Sequence, residues 1–386
     1  MKYDQIIVRY GELGIKSPPI RRKFEQRLAS NIKNAFPTEI EIEQGRVFIK
    51  PENWQEAIQK LKNIFGIVSY SPVIQTKTTH EDVTQTLETY IDHLITENKI
   101  TPETRFAIRC RRVGKHEFTS QEFAAFAGSV VVRKLGCPVD LTNPELKIYI
   151  EIRQDDTYIF HEKIQGPGGL PLGTQGKVIS LLSSGIDSPV ATYLMMKRGC
   201  TVTALYFDGE NYASTKALEK VKNLVKTLKT YSYGSKLNLI VVPYEKYLKQ
   251  CQESAPERLT CVLCKAGMYK TAEEIAQKED ALAVIDGSSV GQVASQTLPN
   301  ILATRESIDI PILSPLIGLD KLEIEKIAKE IGTFQISQED DGGCKAVPKH
   351  PETKADINKV QKAKKDIQFT EIIKETANNA EIIKKL

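Results

Sequence analysis

Between Leu182 and Pro189 the chain reads Ser183-Ser184-Gly185-Ile186-Asp187-Ser188, which puts three hydroxyls, one glycine and one carboxylate in six residues. Hydroxyls are short rotatable donors, and a glycine lets backbone approach a phosphate with no Cβ in the way. A carboxylate beside phosphate oxygens is repulsive unless a cation or a helix-start amide holds it. The set suits anion binding, and Asp187 is a reason to expect Mg²⁺. Sulfur is the second concentration of chemistry: Cys261 and Cys264 stand three apart, and Cys344 follows Asp340-Asp341-Gly342-Gly343. At that spacing the first two thiols share a face near the start of a helix running to about Lys278, where the dipole favours thiolate. Three uses stay open for the three thiols. Zinc usually wants four ligands and would borrow His350 or Cys251; a thioredoxin-type pair belongs in a different sequence setting; three thiolates can hold an iron–sulfur cluster with one open iron. Cys110, Cys137 and Cys200 read as inert buried thiols.

The elements around the serine loop give it direction. Val178 to Leu182 is apolar and partly β-branched, as in a buried parallel strand, and Pro189 to Arg198 is a helical stretch with proline in its first turn. Where a strand hands over to a helix, unpaired amides and the positive end of the helix dipole converge on one spot. A Walker A loop does not fit. Gly176-Lys177 is followed by Val178 where a hydroxyl belongs, and Pro171 stands at the place of the first glycine. Ser-x-Gly-x-Asp-Ser instead resembles the PP-loop of the ATP pyrophosphatases, which split ATP between its α and β phosphates, with Ser184 where the usual pattern has glycine. The same residues also make ordinary turns; the flanking strand and helix favour the nucleotide.

The Gly- and Pro-rich run Gly166 to Gly173 marks a boundary. Beyond it the expected strands Val178–Leu182, Val202–Phe207, Leu239–Val242 and Ala283–Asp286 alternate with helices, the grammar of a parallel α/β sheet. Ligands bind such sheets at the carboxyl ends of the strands. The serine loop, Phe207-Asp208 and Asp286-Gly287-Ser288-Ser289 all fall there. Lys354 to Leu386 is Lys-rich and helical in pattern. Ahead of the boundary, residues 1–75 read as a βαββαβ, ferredoxin-like domain, with strands at 6–8, 40–42, 47–49 and 67–74 and helices at 20–35 and 55–64. Residues 76–165 form a second unit with helices at 81–94 and 120–135 and strands at 105–112, 146–152 and 157–164. The basic strand Phe106 to Arg112, with His116, Phe118 and the stretch Val139 to Glu145, is similar to a THUMP domain, an RNA-binding module of tRNA-modifying enzymes. Residues 174–386 make the third domain.

With 386 residues, 26% of them charged and 41% apolar, the chain suits two or three soluble domains. It shows no signal-peptide h-region and no membrane-length apolar run, so a cytoplasmic location with reduced thiols is expected. The net charge of +4 is small but unevenly placed. Residues 1–36 carry eight Lys/Arg against three acids, and residues 105–115 carry five against none. Such patches suit a polyanion, although a solvated face is the commoner cause of a charge run. The candidate RNA contacts are Arg21, Arg22, Lys23 and Arg27 on the first helix, then Arg109, Arg111, Arg112, Lys115 and His116; Lys23 and Arg27 share a helix face, and Arg109 and Arg111 one side of a strand.

Phe160 to Gly173, Ser183 to Val190, Gly287 to Thr297, Pro315-Leu316 and Asp320 to Ile324 together resemble the tRNA 4-thiouridine synthetases, or tRNA uracil 4-sulfurtransferases, across essentially the whole chain. The resemblance is to the short form without the rhodanese domain of longer members. It implies transfer of AMP from ATP to O4 of uridine 8 of tRNA, attack of sulfur on C4, and departure of AMP. It implies too that the N-terminal and THUMP domains grip the acceptor region and that the protein is a homodimer. Carried over by position, the ATP site comprises Leu181, Leu182, Ser183, Ser184, Gly185, Ile186, Asp187, Ser188, Phe207, Lys265, Gly287 and Gln296. Lys265 stands where relatives often have Arg, so a bidentate phosphate contact would be lost there. Asp187 would serve the Mg²⁺–pyrophosphate end and Cys344 would handle sulfur. Two supply routes follow: a [4Fe–4S]-type cluster on Cys261, Cys264 and Cys344 holding sulfide, or a persulfide on Cys344 fed by a cysteine desulfurase. Some members also supply sulfur for the thiazole of thiamine. A PP-loop ligase adenylating another carbonyl and a non-catalytic tRNA-binding protein are the alternatives.

Overall fold

The computed structural model describes residues 3–43 and 45–383, which divide into two compact units. Unit 1 takes Met1–Glu25, Phe36–Lys62 and Gly66–Gly168, and unit 2 takes Gln26–Ala35, Asn63–Phe65 and Gly169–Leu386. None of the described helices is long and apolar enough to cross a membrane.

In unit 1 the chain runs β1 (Gln5–Tyr10), α1 (Pro18–Ala35, whose last ten residues count with unit 2), β2 (Thr38–Glu43), β3 (Arg46–Pro51), α2 (Trp54–Leu61) and β4 (Ile67–Lys77). It continues through α3 (His80–Thr96), β5 (Phe106–Val113), α4 (Ser120–Leu135), β6 (Leu146–Arg153), β7 (Asp156–Phe160) and β8 (Ile164–Gln165). All eight strands join one sheet in the order β2-β3-β1-β4-β7-β6-β5, with β8 also on β4. The eleven-residue β4 is shared: residues 67–73 pair with β1, and 74–77 pair with β7. Local chemistry sets the ends of α4. Thr119 and Glu122 form a reciprocal capping box at its start, and Gly136 closes it at φ +73. Its Phe123, Ala127, Val130 and Val131 pack with Val83, Leu87 and Ile91 of α3 against Ile148, Ile150 and Ile159. The expected strand 157–164 is broken at 161–163, after which β8 meets β4 again at Ser69 and Tyr70.

Unit 2 contains β9 (Lys177–Leu181), α5 (Asp187–Lys197), β10 (Thr201–Asp208), α6 (Thr215–Lys229), β11 (Asn238–Pro243), α7 (Glu245–Ser254), α8 (Thr260–Lys278) and β12 (Ala283–Ile285). Then come α9 (Leu298–Arg305), β13 (Ile312–Leu313), α10 (Lys321–Glu330), α11 (Phe334–Gln338), α12 (Ile357–Asp366), α13 (Phe369–Asn378) and β14 (Glu381–Ile383). The sheet order is β13-β12-β9-β10-β11-β14, parallel except for β14. Two buried layers sandwich it. Val178, Val202 and Leu239 face α5, α6 and α10, while Ile179, Leu205 and Ile240 face α7, α8 and α13. The expected helical C-terminal stretch is two helices followed by a strand too short to carry a sequence signal; residues 384–386 of it lie outside the described residues.

Candidate nucleotide and sulfur-transfer site

The serine loop sits at the carboxyl end of β9, the central strand of the parallel run. Leu182 continues the strand's direction by donating its amide to the Leu205 carbonyl at 2.9 Å, and its side chain is buried while that of Leu181 is half-buried. Ser188 shapes the turn: its hydroxyl accepts from the Ser183 amide at 2.8 Å and lies 3.0 Å from the Ser183 hydroxyl. Helix α5 starts at Asp187, two residues before the expected Pro189, so Asp187 and Ser188 belong to its first turn. Ile186 at the N-cap supplies no side-chain cap, which leaves first-turn amides available to an anion.

Asp187 is held in place by protein groups. Lys321 donates to its Oδ1 at 3.0 Å and Gln292 to its Oδ2 at 3.0 Å. A lysine side chain thus already stands beside this carboxylate. Lys321 was legible only through its setting, the Asp320/Glu323 capping box that fixes the start of α10. Gly287 acts from below: a Cβ built there would lie 2.9 Å from the Ser188 amide nitrogen and 3.1 Å from the Asp187 carbonyl carbon. Gly287→Ala should therefore push the first turn of α5 out of place and cost about 1–3 kcal/mol of stability, read as a lower Cm in urea.

Asp286, the residue before it, is buried and fully engaged. It accepts from Ser314 at 2.6 Å, from Arg305 at 3.2 Å, from the Ser288 hydroxyl at 2.7 Å and amide at 3.2 Å, and from Tyr269. Lys265 donates to Ser288 at 2.8 Å, so this network aims its ammonium. Burial lowers the pKa of Lys265, with Asp286 opposing. Burial works to raise the Asp286 carboxyl, but Lys265 and the hydrogen bonds from Ser314, Tyr269 and Ser288 outweigh it and hold it below the ordinary range. A depressed folded pKa gives stability that is present above the unfolded carboxyl's pKa, about 3.9, and is lost as pH falls through the folded value. Asp286→Asn should cost about 2 kcal/mol at neutral pH, and the difference in Tm from wild type should shrink in acid.

A cavity of about 180 Å³ joins the two kinds of chemistry, with Ser184, Phe207, Tyr212, Tyr244, Cys264 and Cys344 in its wall. A water takes roughly 30 Å³ of liquid volume, so the space suits one flat ring. Phe207 and Tyr244 meet edge to face at 4.8 Å, and the Tyr244 hydroxyl donates to the Cys264 carbonyl at 2.8 Å. Gln296 is buried with its Oε1 lacking a partner, an acceptor open to a donor.

The sulfur expectations need correction. All seven cysteines are free, and Cys344 is exposed. Cys261 and Cys264 do begin α8, but burial raises both thiols, Cys264 well above the ordinary value, so the helix dipole does not make thiolates there. The proximity of Cys251, Cys344 and Cys261 pushes Cys264 further in the same direction. Among the described residues no three His, Cys, Asp or Glu side chains gather into a set that could hold a metal ion. The thiols of the expected cluster are neighbours, not a formed ligand set. Cys137 and Cys200 are buried as expected; Cys110 is only half-buried, and burial pushes its thiol to about 11.

The expected RNA contacts are unequal. In unit 1, Arg22, Lys23, Arg109, Arg111 and Lys115 are exposed, and Arg21 lies 3.8 Å from Glu25. Arg109 also donates to the Leu141 carbonyl at 2.6 Å; Arg112 lies 3.4 Å from the His116 carbonyl, and His116 stacks on Phe118. Arg27 differs from the expectation. In unit 2 its guanidinium donates to the carbonyls of Leu172 at 2.7 Å and Gly234 at 3.1 Å, and Gly173 at φ +89 passes directly over it. That fork is spent on main chain.

The profile of the thiamine biosynthesis protein (ThiI) family matches residues 173–369, that of the ThiI ferredoxin-like domain 5–71, and that of the THUMP domain 81–162. The probable tRNA sulfurtransferase of Methanobrevibacter smithii is 59% identical over 363 residues, which are 94% of this chain and 95% of that one. The chain belongs to the tRNA sulfurtransferase family. Its counterpart in Methanothermobacter thermautotrophicus is 56% identical over 97% of this chain and 96% of the relative. A crystal structure of a 4-thiouridine synthetase–RNA complex with bound ATP superposes with a TM-score of 0.90 at 30% identity, covering 99% of this chain and 100% of that one. Ferredoxin-like, THUMP and ThiI segments thus follow one another in the expected order. Membership in a family of tRNA sulfurtransferases makes the chain an enzyme of that class and sets aside both the amide-forming ligase and the non-catalytic tRNA-binding protein.

Proposed function

We propose that this chain uses ATP to convert uridine 8 of tRNA to 4-thiouridine. The observation that carries this reading is the shared cavity, where Ser184 of the anion-type loop and the exposed thiol of Cys344 line one small aromatic space. Relatives named as tRNA sulfurtransferases, and the ATP- and RNA-bound structure it resembles, support the substrates. In this reading Ser183, Ser184, Gly185 and the first turn of α5 take the phosphates, with Leu181, Leu182, Ile186, Ser188, Phe207, Gly287 and Gln296 shaping the nucleotide site and Lys265 adding positive charge. Uracil O4 attacks the α-phosphorus and pyrophosphate leaves. Sulfur then attacks C4, and AMP leaves carrying O4. Asp187, whose oxygens also receive Lys321 and Gln292, would hold Mg²⁺, which would supply neutralisation of the leaving pyrophosphate.

Cys344 is proposed as the sulfur carrier, loaded as a persulfide by a cysteine desulfurase. After its outer sulfur bonds to C4, the S–S bond is broken by a second thiol. Cys264, in the same cavity, is proposed to do so, its proton passing to the thiouracil released, and an external thiol reductant reopens the resulting disulfide. Sulfide held on an iron–sulfur cluster by Cys261, Cys264 and Cys344 is the second reading, favoured by the closeness of those thiols. It requires Cys344 to move onto the other two. Protein purified without air should then contain iron that Cys261→Ala removes; iron-free protein with an active Cys261→Ala variant would leave the persulfide route alone. Exposed Arg22, Lys23, Arg109, Arg111 and Lys115, with half-buried Arg21, Arg112 and His116, are proposed to meet the acceptor region. A homodimer, a cytoplasmic location and sulfur supply to the thiamine thiazole, a family feature, complete the proposal. Thiolation of a tRNA transcript with ATP, cysteine and a cysteine desulfurase tests it, and no pyrophosphate release on adding tRNA would end it.

A further inference from the structure

Lys220 on α6 is a buried lysine, 4% exposed, whose ammonium serves a single segment of chain. It donates to the Ser337 carbonyl at 3.3 Å, to Asp341 Oδ2 at 3.2 Å and to the Glu339 carbonyl. An ammonium has three protons, and all three go to the approach to Cys344. Asp341 in turn accepts from the Gly343 amide at 3.2 Å and lines the same cavity as Ser184. Nearby, the Ser337 hydroxyl donates to the Gly185 carbonyl at 3.3 Å. The serine loop and the 337–344 segment are therefore bonded directly to each other, with Lys220 anchoring the segment from the other side.

A phosphate over the loop would share that cavity with the Asp341 carboxylate, and the two anions repel each other. Between Asp341 and Cys344 stand Gly342 and Gly343, at φ +72 and +63, with open space where side chains would be. Their amides donate to the neighbouring carboxylates, Gly342 to Asp340 at 2.9 Å and Gly343 to Asp341 at 3.2 Å, so a shift of Asp341 turns the chain there. We infer that Asp341 and Lys220 are positioning residues for Cys344, through which filling of the serine loop moves that thiol. With a nucleotide bound, its phosphates repel Asp341 toward Lys220, and rotation at the two glycines re-places Cys344. The inference rests on the nucleotide reading of the loop.

The test uses the full chain and measures alkylation of Cys344 by iodoacetamide, followed on its own peptide by mass spectrometry, with and without saturating ATP. ATP binding is measured separately by equilibrium dialysis. In wild type, ATP should change the Cys344 rate about tenfold, within the usual range for coupled sites. In Asp341→Ala the ATP-free rate should already equal the ATP-bound rate, leaving a ratio within about twofold of one. Asp341→Ala should also lower kcat for thiolation more than it raises the KM for ATP. A wild-type ratio retained in Asp341→Ala, or equal shifts of both rates with only Tm lowered, overturns the inference and leaves ATP binding standing. If dialysis shows that wild type does not bind ATP, the nucleotide reading falls and this coupling falls with it.

Discussion

With Cys344 replaced by alanine, thiolation of a tRNA transcript should fall about a thousandfold while tRNA-dependent release of pyrophosphate continues. The split follows from geometry. Cys344 enters the cavity from the 337–344 segment, whereas the groups that would receive the triphosphate belong to the loop after β9 and the first turn of α5. Removing the thiol leaves the adenylation machinery untouched, so the activated uridine should accumulate or hydrolyse. A thousandfold is about 4 kcal/mol of barrier, what loss of a covalent carrier costs. Equal loss of both readouts would place Cys344 in the nucleotide site, and full thiolation without it would remove it from the chemistry.

Asp187→Ala should instead depress both readouts together, by about a hundredfold to a thousandfold. Its carboxylate stands at the first position of α5, facing Lys321 and Gln292. Alanine there would free Lys321 and remove the group proposed to share Mg²⁺ with pyrophosphate, without disturbing the Ser183–Ser188 hydrogen bonds that shape the loop. Circular dichroism and Tm should stay near wild type. Unchanged pyrophosphate release by this variant would exclude Asp187 from phosphate chemistry.

Much of this was legible in the sequence because strand period, helix caps and turn residues agreed. The strand before Ser183 has the buried apolar run of a parallel sheet, and α4 begins and ends where Thr119, Glu122 and Gly136 say it should. What stayed hidden depended on contacts distant along the chain. Lys220 and Asp341 are 121 residues apart, and nothing local in α6 distinguishes Lys220 from the other lysines of that helix. Arg27 looked like part of a basic helical face, since spacing cannot reveal two carbonyls 145 and 207 residues away. The thiols of α8 were expected to be thiolates because a helix start is visible in sequence and the desolvation around it is not.

The shared strand β4 has a mechanical meaning for substrate selection. Because β1 pairs with residues 67–73 of β4 and β7 with residues 74–77, the basic start of α1 and the Arg109–Arg111 edge are joined through one continuous strand, not through a loose linker. An RNA held by both basic regions, as proposed, would have the spacing of its two contacts set by that strand.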